Sequence, residues 1–305
     1  MNTPQRARDL IAAGATPYEL GARVARGNLV RVRRGAYADA VGLTPEDAHL
    51  RLLRATLAEL GPDAVASHAS AALLHGLPVA PADLGLVRVT RRSPTHGRSG
   101  PGFRQSTASL ASEEVVDAGG VPCTSATRTA IDVACSTSFG WAVGACDAVL
   151  HLELADADAL GLACAQASGR RGVQKARAAV AFADERAESV LESLSRVQLR
   201  RLGLPKPVLQ FEVTLDGRVV ATTDFAWPEW GVVGEADGTQ KYVDQAFDHR
   251  TGSEVIRDEK RREGKIRDAG WWITRWDWDL VHRPVAFERR IRAAFAHAAR
   301  PHAVA

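Results

Sequence analysis

Apolar and polar positions along the chain change rhythm three times, and each change marks a predicted element or domain. In the first forty residues a helical spacing gives way to strict alternation. A helix from about Pro4 to Ala13 ends at Gly14, a residue suited to a left-handed cap. Thr16-Pro-Tyr-Glu19 has the spacing of a capping box with proline at the first helical position. A second helix therefore starts there and runs through Leu20, Val24 and Ala25 to Gly27. Leu29 to Tyr37 then alternates apolar with basic residues into a glycine turn, the pattern of a hairpin. Two helices and a hairpin predict a small winged helix-turn-helix over residues 1–43.

Residues 44–160 predict a mixed α/β middle domain. Thr44 caps a helix with acidic residues in its first turn, ended by Gly61, and Ser67 to His75 forms another, closed by Gly76. Leu86 to Thr90 is a short strand, followed by a basic loop from Arg91 to Gly102. Thr124 or Ser125 caps a further helix through Ala134, and Phe139 to Leu150 makes one more. Residues 161–183 read as a helical connector, interrupted at Gly169-Arg-Arg-Gly-Val173.

The last domain, residues 184–300, predicts the order helix, three strands, helix, strand, helix. The first helix spans roughly Glu185 to Leu202 and stops at Gly203-Leu-Pro205. Val208 to Leu215 and Arg218 to Ala226 flank Asp216-Gly217, a strong hairpin signal. A turn at Pro228 to Gly231 leads into a third strand, Val232 to Asp237. Ser253 caps a helix from about Glu254 to Ala269, Trp271 to Trp276 is a strand, and the last helix follows Pro284.

Candidate chemistry sits in the third strand. A period of two puts Val233, Glu235 and Asp237 on one face and Val232, Gly234 and Ala236 on the other. By the same rule Asp224 points away from Phe225, which belongs in a core. A lone buried carboxylate costs several kcal/mol, so acids in a buried sheet call for a positive partner. A divalent cation is the economical one, and Mg2+ suits one or two carboxylates plus a phosphate.

Composition narrows the setting. The 305 residues are 46% hydrophobic and 25% charged, with a formal net charge of +3. That is an ordinary globular balance, so nucleic-acid binding would have to come from local patches. The chain lacks the roughly 18 consecutive apolar residues of a membrane span, and it has no apolar signal core at its start. Cys123, Cys135, Cys146 and Cys164 show no Cys-x-x-Cys pairing, which predicts reduced thiols in a cytoplasmic protein with no membrane partner. Arg23, Arg26, Arg31, Arg33 and Arg34 cluster on the second helix and the hairpin, where DNA phosphate contacts would be made. His68, His75 and His96 have no nucleophile or carboxylate at a telling spacing and read as structural.

The N-terminal half resembles AbiEi-type antitoxins, which are winged-helix regulators. The resemblance rests on the first forty residues, on Gly61 to Pro78 with its Ser67-His-Ala-Ser-Ala-Ala-Leu-Leu-His-Gly-Leu run, and on Gly120 to Ala134. It implies DNA binding at the N-terminus and leaves a toxin partner and a homodimer open.

The C-terminal domain resembles endonuclease-like domains of unknown function related to very-short-patch repair nucleases, themselves PD-(D/E)xK enzymes. The matching residues are Glu192 to Arg196, Asp224 to Pro228, Gly234 to Gly238, Lys241-Tyr242, Glu259-Lys260 and Gly270 to Trp276. The resemblance implies a restriction-endonuclease-like α-βββ-α-β core that hydrolyses phosphodiester bonds with Mg2+ or Mn2+. Asp224 and Glu235 would be metal ligands, completed by Glu192 or by Glu188. Where the family pattern has Glu-x-Lys this chain has Glu235-Ala-Asp237, so the ammonium would come from Lys241 or Lys260. Arg261 and Arg262, on the helix after the site, would hold the DNA backbone. A non-cleaving regulator with a degenerate nuclease fold is the alternative.

Overall fold

A capping box and a hairpin organise the N-terminus. The computed structural model describes residues 4–40, 44–92, 99–100, 102–238 and 252–299, apart from the side chains of 252–256. The first elements are β1 (Gln5–Arg6), α1 (Ala7–Ala12), α2 (Pro17–Ala25), β2 (Leu29–Arg33) and β3 (Ala36–Asp39). Thr16 and Glu19 exchange both bonds of the capping box: Thr16 N–H donates to the Glu19 carboxylate at 2.8 Å, and Glu19 N–H to Thr16 Oγ1 at 3.2 Å. The helix expected from Pro4 is shorter than its spacing suggests. Gln5 and Arg6 pair with Tyr37 and Ala36 instead, adding a third strand in the order β1-β3-β2.

The middle of the chain continues with α3 (Pro45–Leu60), β4 (Ala64–Ala66), α4 (His68–Leu74), β5 (Val87–Arg91), β6 (Ser99–Gly100), β7 (Phe103–Thr107), β8 (Val115–Asp117) and β9 (Pro122–Thr124). These strands form one mixed sheet in the order β6-β7-β5-β4-β9-β8. Its core gathers Leu53 of α3 with Ala66, Val87, Val89, Phe103 and Cys123. A helical layer follows: α5 (Ala126–Ser136), α6 (Phe139–His151), α7 (Ala157–Gln166) and α8 (Val173–Val180). The last two pack on α5 and on each other. All of this lies in the first of two compact units, Met1–Ala181 and Phe182–Ala305. The four cysteines are free thiols, three of them buried.

The second unit contains α9 (Val190–Arg201), β10 (Val208–Leu215), β11 (Arg218–Trp227), β12 (Val232–Ala236), α10 (Gly252–Asp268), β13 (Trp272–Trp276), α11 (Trp278–Val281) and α12 (Pro284–Ala298). Asp216 and Gly217 both take positive φ, 50° and 76°, as a two-residue hairpin turn between β10 and β11 requires. Ser253, expected as a cap, falls inside α10, which begins one residue earlier. The sheet order is β10-β11-β12-β13, antiparallel except for the parallel pair β12–β13.

Alternation along β12 works as its sequence pattern predicts. Val232 and Ala236 join Phe225 and Trp227 in a core with Leu191 and Leu199 of α9 and Phe287 and Ile291 of α12. Val233 enters the opposite core with Val213, Ala226 and Ile266 of α10. Gly234 lies directly under Trp276, whose ring would stand 2.5 Å from a Cβ built there. Among the described residues, no helix is long and apolar enough to cross a membrane.

Candidate active site

The start of α9 differs from its sequence expectation, and the difference reorganises the acids. The helix begins at Val190, not near Glu185, because Ser189 takes the cap: Glu192 N–H donates to Ser189 Oγ at 3.2 Å. Glu188, expected one turn up the same helix face, therefore precedes the helix with its side chain exposed. Its backbone N–H instead donates to Glu192 Oε2 at 3.1 Å. Ser189 Oγ donates to Glu192 Oε1 at 2.7 Å, and Gln210 Nε2 donates to Oε2 at 3.2 Å.

Glu192 is 5% exposed. Burial first, then the nearby Asp224 charge, push its carboxyl up to about 7, against the bonds from Ser189 and the Glu188 backbone. At neutral pH this acid is therefore divided between its protonated and ionised forms.

Asp224 sits where the β11–β12 ladder ends. The last pair is Phe225↔Gly234. Beyond it the Asp224 carboxylate takes over, accepting from Ala236 N–H at 2.7 Å. On the other side, Gln210 stands between the pairs Leu209↔Phe225 and Phe211↔Thr223, opposite Asp224. Its φ is 48°, left-handed for a non-glycine residue inside a strand, which costs about 1–3 kcal/mol. This strained residue is the one whose side chain reaches Glu192.

Glu235, on the same sheet face as Asp224 by register, is 6% exposed and held by two arginines. Arg275, its partner across the parallel ladder, donates Nε–H to Glu235 Oε2 at 2.7 Å. The same guanidinium also reaches Glu263 Oε2 at 2.9 Å and Glu259 Oε1 at 2.6 Å. Arg262 Nη1 lies 2.5 Å from Glu235 Oε1 but outside hydrogen-bond geometry, so that buried oxygen accepts no hydrogen bond among the described residues. Arg262 Nη2 donates to Thr222 O at 2.8 Å.

The remaining candidates fall elsewhere. Asp237 lies past the end of β12, exposed, with its N–H on Trp276 O at 2.8 Å. Lys260 and Arg261 are exposed on α10, Arg261 lying 3.8 Å from Asp258. Lys241 and His96 lie outside the described residues. In the first unit Arg26, Arg31 and Arg34 are exposed and Arg23 half-buried. Arg33 turns inward: it pairs with Glu59 at 2.7 Å, donates to Thr56 Oγ1 at 3.1 Å and lies over the Phe103 ring. His75 is tied to Thr124 O at 2.7 Å.

The fold thus puts Glu192 within electrostatic reach of Asp224, and it commits Glu235 to guanidinium groups. Among the described residues, no group of three His, Cys, Asp or Glu side chains is placed to hold a metal. The Glu192–Asp224 pair nevertheless has the donor chemistry of a hard divalent cation. The two carboxyls interact electrostatically, burial and that interaction both disfavour the ionised Glu192, and Mg2+ binds through one or two carboxylates.

Sequence reasoning missed Ser189, Gln210 and Arg275. A signal existed for the last. Arg275 alternates with Trp272, Thr274 and Trp276 in a short strand, and an arginine in such a strand needs an acid beside it.

No family model matches the chain. A Mycobacterium tuberculosis protein described as uncharacterized is 31% identical over 265 residues, which cover 85% of this chain and 89% of the relative. It is found as MT2308 in strain CDC 1551 / Oshkosh and as Rv2248 in strain ATCC 25618 / H37Rv. At that identity and coverage, this chain belongs to the same family as the mycobacterial protein.

Proposed function

We propose that the second unit is a phosphodiesterase site for DNA that works with Mg2+ or Mn2+, and that the N-terminal helices and hairpin bring the protein to its substrate. The carrying observation is a buried Glu192 within electrostatic reach of Asp224, its carboxyl raised to about 7 by burial first and by the Asp224 charge second. A divalent cation would neutralise both carboxyls and offset the cost of placing them within reach of each other. The order of elements α9-β10-β11-β12-α10-β13 and the Asp224…Glu235 spacing support the same reading, as does the resemblance of residues 184–300 to PD-(D/E)xK endonuclease-like domains.

In this reading Asp224 and Glu192 hold the ion, with Glu235 beside them on the sheet. A divalent ion supplies charge stabilisation to the phosphate and a more acidic bound water. Asp224 is oriented by the Ala236 N–H, and Glu192 by Ser189, Gln210 and the Glu188 backbone. The positive charge that a Glu-x-Lys strand would carry at position 237 is offered by Arg275 from the neighbouring strand and Arg262 from α10. On the first unit Arg26, Arg31 and Arg34 are the exposed charges suited to phosphate contact.

One observation favours a second reading, a regulator that binds DNA without cutting. Glu235 gripped by two arginines is a neutralised carboxylate rather than an open ligand.

A plasmid-nicking assay with Mg2+ or Mn2+ separates the two. Asp224→Asn keeps an oxygen to accept from Ala236 N–H but removes the charge. Nicking by the wild type that falls at least 100-fold in Asp224→Asn, at unchanged melting temperature, is the expected result. Salt-sensitive DNA binding with no nicking under either metal selects the regulator and ends the enzyme reading.

A further inference from the structure

The first unit holds a cleft that the nuclease reading does not use. His68, Asp83, Arg88, Ser136, Thr137 and Trp141 contribute to its walls. Its volume is about 30 Å³, some two to three times what one water requires. That suits a small oxyanion.

Arg88 is the unusual wall. It projects from β5, half-buried, and its backbone N–H is used by Ser70 Oγ at 2.8 Å. Its guanidinium makes no hydrogen bond or ion pair among the described residues, and its Nε–H is buried without an acceptor. A partly buried guanidinium left in that state is costly. The acids nearby do not relieve it. Asp132 places Oδ1 on Arg128 at 2.9 Å and Arg170 at 3.1 Å, and its buried Oδ2 has no hydrogen-bond partner among the described residues, so it makes no bond to Arg88. Asp83 attracts Arg88 only at a distance, while Arg104, its register partner on β7, repels it.

His68 completes the cleft in an equally unusual state. Its φ is 52°, left-handed for a residue with a side chain. Burial foremost, with Arg88, Arg128 and Arg170 adding to it against Asp132, depresses its ring to about 4, so it stands neutral beside the guanidinium. Nδ1 lies 3.0 Å from Ser67 Oγ. A neutral imidazole next to an unpaired arginine can hydrogen-bond an anion without a second positive charge to hold apart. The apolar walls, Trp141 among them, cover the rest of such a ligand.

We propose that this cleft binds the carboxylate or phosphate group of a small molecule, with Arg88 as its anchor. The guanidinium fork makes paired bonds to such a group, which a single ammonium does not.

The test titrates the full chain with inorganic phosphate and, separately, with acetate, against chloride at equal ionic strength. Thermal melting and isothermal titration calorimetry are the readouts. The wild type is expected to gain several degrees with one or both anions, and Arg88→Met to lose that gain. Phosphate alone succeeding identifies a phosphate group, and acetate succeeding identifies a carboxylate. Arg88→Lys keeps the charge without the fork and is expected to bind at least tenfold more weakly; it serves as the comparison if Arg88→Met does not fold. A wild type indifferent to both anions overturns the proposal. So does an Arg88 variant that responds as strongly as the wild type, since the anion would then be held by other arginines.

Discussion

Glu192 shows how one side chain can be read two ways. As the third residue of α9 it sits in the first turn, its carboxylate accepting from Ser189 Oγ and from the Glu188 N–H just before the cap. Its burial beside Asp224 exceeds what a cap needs and raises its carboxyl to about 7 from an ordinary 4.5. The consequence for stability has a definite sign. The folded state holds this proton more tightly than the unfolded chain, so the associated stability is complete below about pH 4.5 and is lost as pH rises through about 7. A shift of that size corresponds to something on the order of 3 kcal/mol. Glu192→Gln imitates the protonated acid, with its amide donating to Ser189 Oγ and its oxygen accepting from Glu188 N–H. The variant is expected to be more stable than the wild type at pH 8 and nearly equal at pH 4. Urea unfolding at the two pH values measures it, and an identical pH slope in both proteins would contradict the assignment.

At the scale of elements, the two faces of β12 set the architecture of the second unit. Gly234 makes room for the Trp276 ring, and a Cβ there would approach that ring to 2.5 Å and Trp227 to 3.2 Å. Both tryptophans are buried, so neither swings aside freely. Gly234→Ala is expected to cost about 1–3 kcal/mol by overpacking, with near-ultraviolet circular dichroism of the tryptophans reporting the shift. Most elements of this unit were legible because they are long and strongly patterned: the alternation of β10 to β12, the Asp216-Gly217 turn and the glycine stops of the helices. The six-stranded sheet of the first unit was not. Its strands are two to five residues long and carry too little alternation to distinguish them from loops; only β5 stood out in the sequence. The start of α9 was misplaced for a related reason. Glu185 to Glu188 suit a helix by propensity, but a serine whose side chain can take the cap outweighs that weak preference.

On the scale of the whole molecule, the division at Ala181 follows from separate cores. Leu53, Val87, Val89 and Phe103 anchor the sheet of the first unit. Phe225, Trp227, Phe287 and Ile291 anchor one face of the second. Units with their own cores fold on their own. Residues 182–305 expressed alone are therefore expected to unfold cooperatively and to keep the near-ultraviolet signal of Trp227 and Trp276. A fragment that binds a hydrophobic dye and melts without a transition would show that the division is only geometric.

The amino-acid order by itself determined the Thr16–Glu19 capping box, the hairpin turn, the two faces of β12 and the sequence of elements in the last domain. These depend on contacts within a few residues or on a simple period. Tertiary structure alone decided which charges meet. Glu192 and Asp224 are 32 residues apart in the chain, Glu235 and Arg275 are 40 apart, and Arg88 and His68 share a cleft across β5 and α4. No local pattern encodes such meetings, because Coulomb forces and burial act through space and depend on the register in which distant strands pair.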